Sequence, residues 1–100
     1  MTQRHTRITR KAQAGTMQSS DLMVALEPAE ALTVEIESTV KRQFEHLIRK
    51  VVDGVLAEQG VTAGRVRITD RGALDYAIQA RLETALRRAA AGAPAAGRAP

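Results

Sequence analysis

The stretch DLMVALEPAEALTVEI, residues 21–36, decides the fold. It contains two runs with apolar side chains at alternate positions, Leu22–Leu26 and Leu32–Ile36, and Pro28 ends the first run. Alternation with a period of two is typical of strands that bury one face and expose the other to water. Because only the short segment Glu27–Ala31 joins the two runs, we expect them to pair as an antiparallel hairpin.

Residues 39–59 change to helical periodicity. Ser38 or Thr39 is suited to be the N-cap of this helix, and Gly60 is suited to end it. Gly54 lies inside the helix, where we expect a close packing contact to explain it. The stripe expected to face the core comprises Val40, Phe44, Leu47, Ile48, Val51, Val55 and Leu56.

A third alternating run and a second helical pattern follow. Residues 65–69 alternate with Val66 and Ile68 inward, and residues 70–72 form a turn. Residues 73–90 repeat apolar side chains with helical spacing, at Leu74, Ala77, Ile78, Leu82, Ala85, Leu86 and Ala89. The order β-β-α-β-α predicts an α+β fold, a two-layer sandwich in which a small sheet of three or more strands packs against two amphipathic helices.

The two ends of the chain differ in composition from its middle. Residues 1–11 hold four basic and no acidic side chains, whereas residues 12–97 hold 10 basic and 11 acidic ones. Residues 91–100 are AGAPAAGRAP, which offers no bulky apolar group to bury. We therefore expect a flexible basic arm over residues 1–18, a folded domain over residues 19–90 and a disordered tail over residues 91–100.

The composition excludes several functions. The 100 residues contain no cysteine, so the chain has no disulfide, no thiolate metal site and no cysteine nucleophile. His5 and His46 are the two histidines, and no spacing brings other ligands to them, so we expect no metal site. Phe44 and Tyr76 are too few aromatic residues for a surface that stacks bases. No secretory apolar segment precedes the domain, which favours a cytoplasmic protein.

The sequence also lacks the constellations of a self-sufficient enzyme. It contains neither a nucleophile elbow nor a glycine-rich phosphate loop. Any chemistry that requires a thiol must therefore use one from outside the polypeptide.

The segment AGTMQSSD, residues 14–21, is the first place with a candidate role. Small and hydroxyl-bearing residues directly before a strand are most often a plain turn. An exposed serine in such a loop is also accessible to a modifying enzyme. Asp21 either orients a serine hydroxyl or caps a turn.

Arg81 is the second such place, because it falls among apolar residues on the helical stripe of residues 73–90. One interpretation is that its stem packs on the core while its charged end reaches the edge. The other is that the guanidinium binds an anionic group, such as a cofactor phosphate or a partner carboxylate.

Four blocks of this sequence resemble the acyl carrier (gamma) subunits of citrate lyase. They are AGTMQSSDLMV at 14–24, LTVEIESTVKRQF at 32–44, VRITDRGALD at 66–75 and QARLETALRRA at 79–89. The blocks follow the family's order and cover most of residues 14–90. Gln18 stands where the family usually has glutamate.

The resemblance implies a non-catalytic carrier. Ser19, the first serine of the S-S-D motif, would be the covalent attachment point of 2'-(5''-phosphoribosyl)-3'-dephospho-CoA, whose thiol carries acetyl and then citryl groups. The implied partners are the alpha subunit (acyl transferase), the beta subunit (citryl lyase) and a maturation transferase that attaches the group. Nucleic acid and membrane are not among them.

Three alternatives stay open at this stage. The carrier subunit of malonate decarboxylase uses the same cofactor chemistry. A small nucleic-acid-binding module can share the sheet-plus-two-helices shape, although stacking aromatics and a G-x-x-G loop are missing here. A purely structural subunit predicts no covalent group on any serine.

Overall fold

The computed structural model describes residues 5–38 and 44–90. These residues form one four-stranded sheet and two helices, which confirms the α+β class. The elements in chain order are β1 (Ala12–Gly15), β2 (Leu22–Glu27), β3 (Leu32–Ser38), α1 (Glu45–Glu58), β4 (Gly64–Asp70) and α2 (Asp75–Ala90).

The sheet has the strand order β1-β2-β4-β3, so the predicted pairing of β2 with β3 is wrong. Strand β4 lies between them, antiparallel to β2 and parallel to β3. The two strands of the expected hairpin do run in opposite directions, but they have no shared hydrogen bonds. A period-two pattern identifies a strand and its buried face without naming its neighbour. Strands β2 and β4 are the two inner strands of the sheet, and Val66 and Ile68 of β4 are almost fully buried.

The core lies between one face of the sheet and the two helices. The pairings Val24↔Ile68 and Leu26↔Val66 put the inward residues of β2 and β4 side by side. Their side chains are at most 2 % exposed, and each contributes roughly 1.5–3 kcal/mol through burial. Helix α2 packs on β1 and β2, and α1 packs on α2 and β3. The buried apolar residues of the helices are Ile48, Val52, Val55, Leu56, Ile78, Leu82, Ala85, Leu86 and Ala89.

Four residues expected to face the core differ from the prediction, and one of them is Leu32 of β3, which is 37 % exposed. Phe44 and Leu47 are 42 % and 48 % exposed, and Leu74 is 62 % exposed, since Phe44 and Leu74 precede their helices. Val52 is fully buried instead, although it was not on the expected stripe. Apolar residues occur at so many positions of α1 that its sequence permits several core-facing stripes, and packing against α2 and β3 selects one of them. Val40 lies outside the described residues.

The two expectations about glycines in and after α1 have different outcomes. Apart from the adjacent residues and the backbone of the helix itself, no described atom lies within 4 Å of the Cβ position at Gly54, so the expected close packing contact is wrong. Gly60 does end the helix, with a φ of 70°. The N–H of Val61 donates to the carbonyl of Leu56 at 2.9 Å, and that of Gly60 to Ala57 at 3.1 Å. This pattern satisfies the last carbonyls of α1.

The chain packs on the domain well before residue 19. Ala12–Gly15 form the edge strand β1, and Ile8 and Ala14 are 8 % and 3 % exposed. The N–H of Thr9 donates to the carbonyl of Ala89 at 3.2 Å. Part of the segment expected to be a loose arm therefore belongs to the sheet and the core. A strand of only four residues, AQAG, gives little periodic signal, so only the tertiary contacts reveal it. The expected tail, residues 91–100, lies outside the described residues.

Candidate functional site

The loop that joins β1 to β2 lies at one end of the sheet. Gly15 pairs with Met23 and Leu22 pairs with Asp70, so β1 and β4 both end beside the start of β2. Ser38, at the end of β3, also pairs with Asp70. The loop, residues 16–21, is thus placed among the ends of three strands and next to the segment between β4 and α2.

Gly15 gives the chain the sharp change of direction with which the loop begins. Its φ is 101°, and a Cβ there would collide with the backbone carbonyl of Leu22. The N–H of Thr16 donates to that same carbonyl at 3.0 Å. The close approach of the two backbones therefore requires glycine at this position.

Ser19 and Ser20 are the two central residues of a β-turn at the tip of the loop. The N–H of Asp21 donates to the carbonyl of Gln18 at 3.2 Å and closes the turn. Ser20 has a φ of 66°, the left-handed conformation that the second central residue of a type II turn requires. Both serines are exposed, and within the described residues the hydroxyl of Ser19 makes no hydrogen bond.

Backbone hydrogen bonds tie this turn to the segment between β4 and α2. The N–H of Ser20 donates to the carbonyl of Arg71 at 2.8 Å, and the N–H of Arg71 donates to the carbonyl of Asp21 at 2.8 Å. The Nη1 of Arg71 also donates to the carbonyl of Met17 at 2.9 Å. The exposed serine is therefore carried by a loop with a defined conformation.

The carboxylate of Asp21 accepts four hydrogen bonds that fix the conformation of the loop. Its Oδ2 accepts a hydrogen bond of 2.6 Å from Thr16 Oγ1 and one of 2.9 Å from Arg81 Nη2. Its Oδ1 accepts one of 2.8 Å from the N–H of Leu22 and one of 3.2 Å from Arg81 Nε. These bonds, with that of Thr16 the most important, lower the pKa of Asp21 from 3.8 to about 2.

Arg81 does bind an anionic group, but that group is Asp21 of this same chain. The Arg81 side chain is 42 % exposed and that of Asp21 is 15 % exposed. Two parallel hydrogen bonds from one guanidinium give a fixed relative orientation, which a lysine would not provide. The sequence signal for this pair was an arginine on an apolar helical stripe, and the identity of its partner came only from the packing of α2 on β2.

The other candidate groups are not brought together. Both His5 and His46 are exposed. Over residues 5–38 and 44–90, no three His, Cys, Asp or Glu side chains are grouped so that they could hold a metal ion. In the same residues, no helix is long and apolar enough to span a membrane.

Comparisons with known proteins agree on one class. Residues 9–89 match the family named ACP and described as malonate decarboxylase delta subunit (MdcD). The citrate lyase acyl carrier protein of Halothermothrix orenii is 45 % identical over 87 residues, covering 86 % of this chain and 93 % of that protein. The citrate lyase acyl carrier protein of Albidiferax ferrireducens is 49 % identical over 84 residues, covering 82 % and 86 %.

A solved structure shares the fold. A chain in the crystal structure of a Pseudomonas malonate decarboxylase hetero-tetramer in complex with malonate superposes with a TM-score of 0.72 at 22 % identity, covering 88 % of this chain and 92 % of that one. These matches define a class, the small acyl carrier subunits of multi-subunit enzymes, which are not themselves catalytic. Within that class, the chain belongs to the citrate lyase acyl carrier protein family.

Proposed function

We propose that this chain is the acyl carrier subunit of a citrate lyase, and that Ser19 is the covalent attachment point for phosphoribosyl-dephospho-coenzyme A. The observation that carries the proposal is the position of Ser19, exposed at the tip of a turn whose other residues are held by hydrogen bonds. The family membership of the chain implies a covalently attached prosthetic group, and the site has room for one because the Ser19 hydroxyl faces solvent.

The composition of the chain indicates which chemistry the prosthetic group supplies and which the polypeptide supplies. When bound, the group supplies the thiol that holds acetyl and citryl thioesters, which no side chain of these 100 residues can supply. The chain supplies the attachment oxygen and the scaffold that presents it. Ser19 is therefore an anchor and takes no part in turnover as a nucleophile.

Attachment exchanges one bond at Ser19 for another. The Oγ–H bond breaks, and Oγ forms a bond to the phosphorus of an activated phosphate donor. The leaving phosphate departs with the electron pair of the broken P–O bond. A base on the maturation transferase takes the proton.

The partners we propose are the alpha subunit, the beta subunit and the maturation transferase, all in the cytoplasm. A group on a long arm raises the effective concentration of the thioester at the two active sites of one complex. The fixed position of the turn supports this role, because the arm then starts from a defined point on the carrier.

The carrier subunit of malonate decarboxylase is the second candidate, and the family description of residues 9–89 favours it. The two candidates differ in the acyl group that the arm carries. Incubation of the loaded carrier with citrate lyase alpha and beta subunits and citrate should release oxaloacetate. If oxaloacetate forms only when an established citrate lyase carrier replaces this chain, while malonate decarboxylase subunits accept this chain, the second candidate is correct.

The decisive experiment for attachment is mass spectrometry of the chain after reaction with the transferase and donor. A single adduct on the peptide that contains Ser19 is the expected result. S19A should accept no group, and S20A, the matched control one residue away, should still be modified. An adduct on S19A but not on S20A would move the site to Ser20, and no adduct on any serine of the wild-type chain would favour a purely structural subunit.

A further inference from the structure

The four hydrogen bonds on the Asp21 carboxylate have a consequence for the attachment reaction. A carboxylate offers about four acceptor positions, two on each oxygen. Thr16, Leu22 and the two donors of Arg81 occupy two on Oδ1 and two on Oδ2. Asp21 therefore has no acceptor position left for the hydroxyl of Ser19, although it lies only two residues away.

We propose that Thr16, Asp21 and Arg81 form a clamp that positions the Ser19 turn for recognition by the maturation transferase, and that Asp21 is not the base for Ser19. The inference rests on the proposed attachment at Ser19. Asp21 and Arg81 are then positioning residues, and Arg81 acts on the site from 60 positions away in the sequence.

The path from Arg81 to Ser19 consists of contacts in the structure. Arg81 orients the Asp21 side chain, and the backbone of Asp21 closes the turn through Gln18 and binds Arg71. The carbonyl oxygen of Arg71 in turn accepts a hydrogen bond from the N–H of Ser20. Loss of the guanidinium would release the side chain at the base of the turn, while the strands would keep their own hydrogen bonds.

The weak basicity of Asp21 agrees with this assignment. Its pKa of about 2 makes the carboxylate a poor acceptor for a serine proton near neutral pH. A general base is most effective when its pKa lies near the working pH. The proton of Ser19 must therefore leave to a group that the transferase provides.

The first test follows transferase kinetics with the full apo-chain as substrate, for wild type, D21N, R81M and the double variant. Positioning predicts that each variant raises KM about tenfold or more, as expected when a charge-assisted pair is lost. It also predicts that kcat changes little and that the double variant is no worse than either single one. R81K should recover only part of the effect, because lysine lacks the paired donors of arginine.

A base role for Asp21 predicts a different pattern. D21N would then lower kcat about 100-fold or more at unchanged KM, whereas R81M would stay near wild type. That result would overturn the proposal. R87M is the matched control, since Arg87 lies on the same helix, is exposed, and bonds to Thr84 rather than to the loop.

The second test needs no transferase and so separates this inference from the proposed function. Amide hydrogen exchange is measured for wild type, R81M and R87M. R81M should accelerate exchange at Thr16, Ser20 and Arg71 at least about tenfold, while the amides of Val24 and Ile68 keep their protection. Unchanged exchange in the loop of R81M would overturn the clamp even if Ser19 carries the group. Absence of an adduct on Ser19 would overturn the proposed function but would leave the clamp intact.

Discussion

The N–H of Ser20 lies 2.8 Å from the carbonyl oxygen of Arg71, across a gap of 51 positions in the sequence. This hydrogen bond joins the turn that presents Ser19 to the segment between β4 and α2. To make this contact, Ser20 adopts a left-handed backbone conformation with a φ of 66°, which costs free energy in a residue other than glycine. The turn that contains Ser19 is thus an integral part of the fold rather than a free loop.

Replacement of Ser20 by glycine should leave stability unchanged or raise it by up to about 1 kcal/mol. Glycine adopts a positive φ without steric cost, and this gain exceeds or balances the extra entropy of the unfolded chain. Urea denaturation of S20G and S20V measures the difference. S20V should lose about 1–2 kcal/mol, because a β-branched side chain is strained in this conformation, and equal stabilities of the two variants would contradict the strained turn.

The two glycines Gly15 and Gly54 should respond in opposite directions to alanine. G15A should destabilise the chain by about 2 kcal/mol or more, because its φ is 101° and the new Cβ would collide with a backbone carbonyl. G54A should stabilise it by about 0.5–1 kcal/mol, since the position is helical and no described atom outside the helix's own backbone and the adjacent residues lies within 4 Å of the new Cβ. Thermal or urea unfolding of the pair provides the measurement, and a stabilising G15A would disprove the close approach at β1.

The charge on Asp21 should make stability depend on pH in the acid range. The folded-state pKa is about 2, below the ordinary value of 3.8, so the carboxylate contributes most above pH 3.8 and loses its contribution as the pH falls through about 2. The contribution is up to about 2 kcal/mol, reduced by the exposure of Arg81. D21N lacks this titration. The free energies of unfolding of wild type and D21N should therefore converge as the pH falls, and a constant difference would show that the Asp21 charge is not stabilised.

Replacement of Leu82 and of Leu74 by alanine should have different effects on stability, because only Leu82 is buried. Leu82 is fully buried and Leu74 is 62 % exposed. L82A should cost about 2–5 kcal/mol through lost burial and the cavity left behind. L74A should change stability by less than about 0.5 kcal/mol. Similar losses in both variants, measured by urea unfolding, would place Leu74 in a core that this structure does not show.

The local patterns of the chain predicted the kinds of element and most of their inward residues. The alternation of Leu22, Val24 and Leu26 and the helical spacing of Ile78, Leu82 and Leu86 are properties of neighbouring residues, and each group is buried as expected. The motif that contains Ser19 was likewise visible in the sequence, as was the odd position of Arg81. Such features need no knowledge of distant contacts, because they depend on geometry that repeats every two or every 3.6 residues.

The arrangement of these elements was decided only by the tertiary structure. Two strands that are adjacent in sequence, β2 and β3, are separated by β4, which pairs with both of them. The partner of Arg81 depends on that arrangement, since packing of α2 on β2 is what brings its guanidinium to Asp21. Sequence periodicity determines which face of an element is buried. The free energy of burial, however, does not depend on which neighbour covers that face. The neighbours of each element therefore depend on the packing of the whole chain.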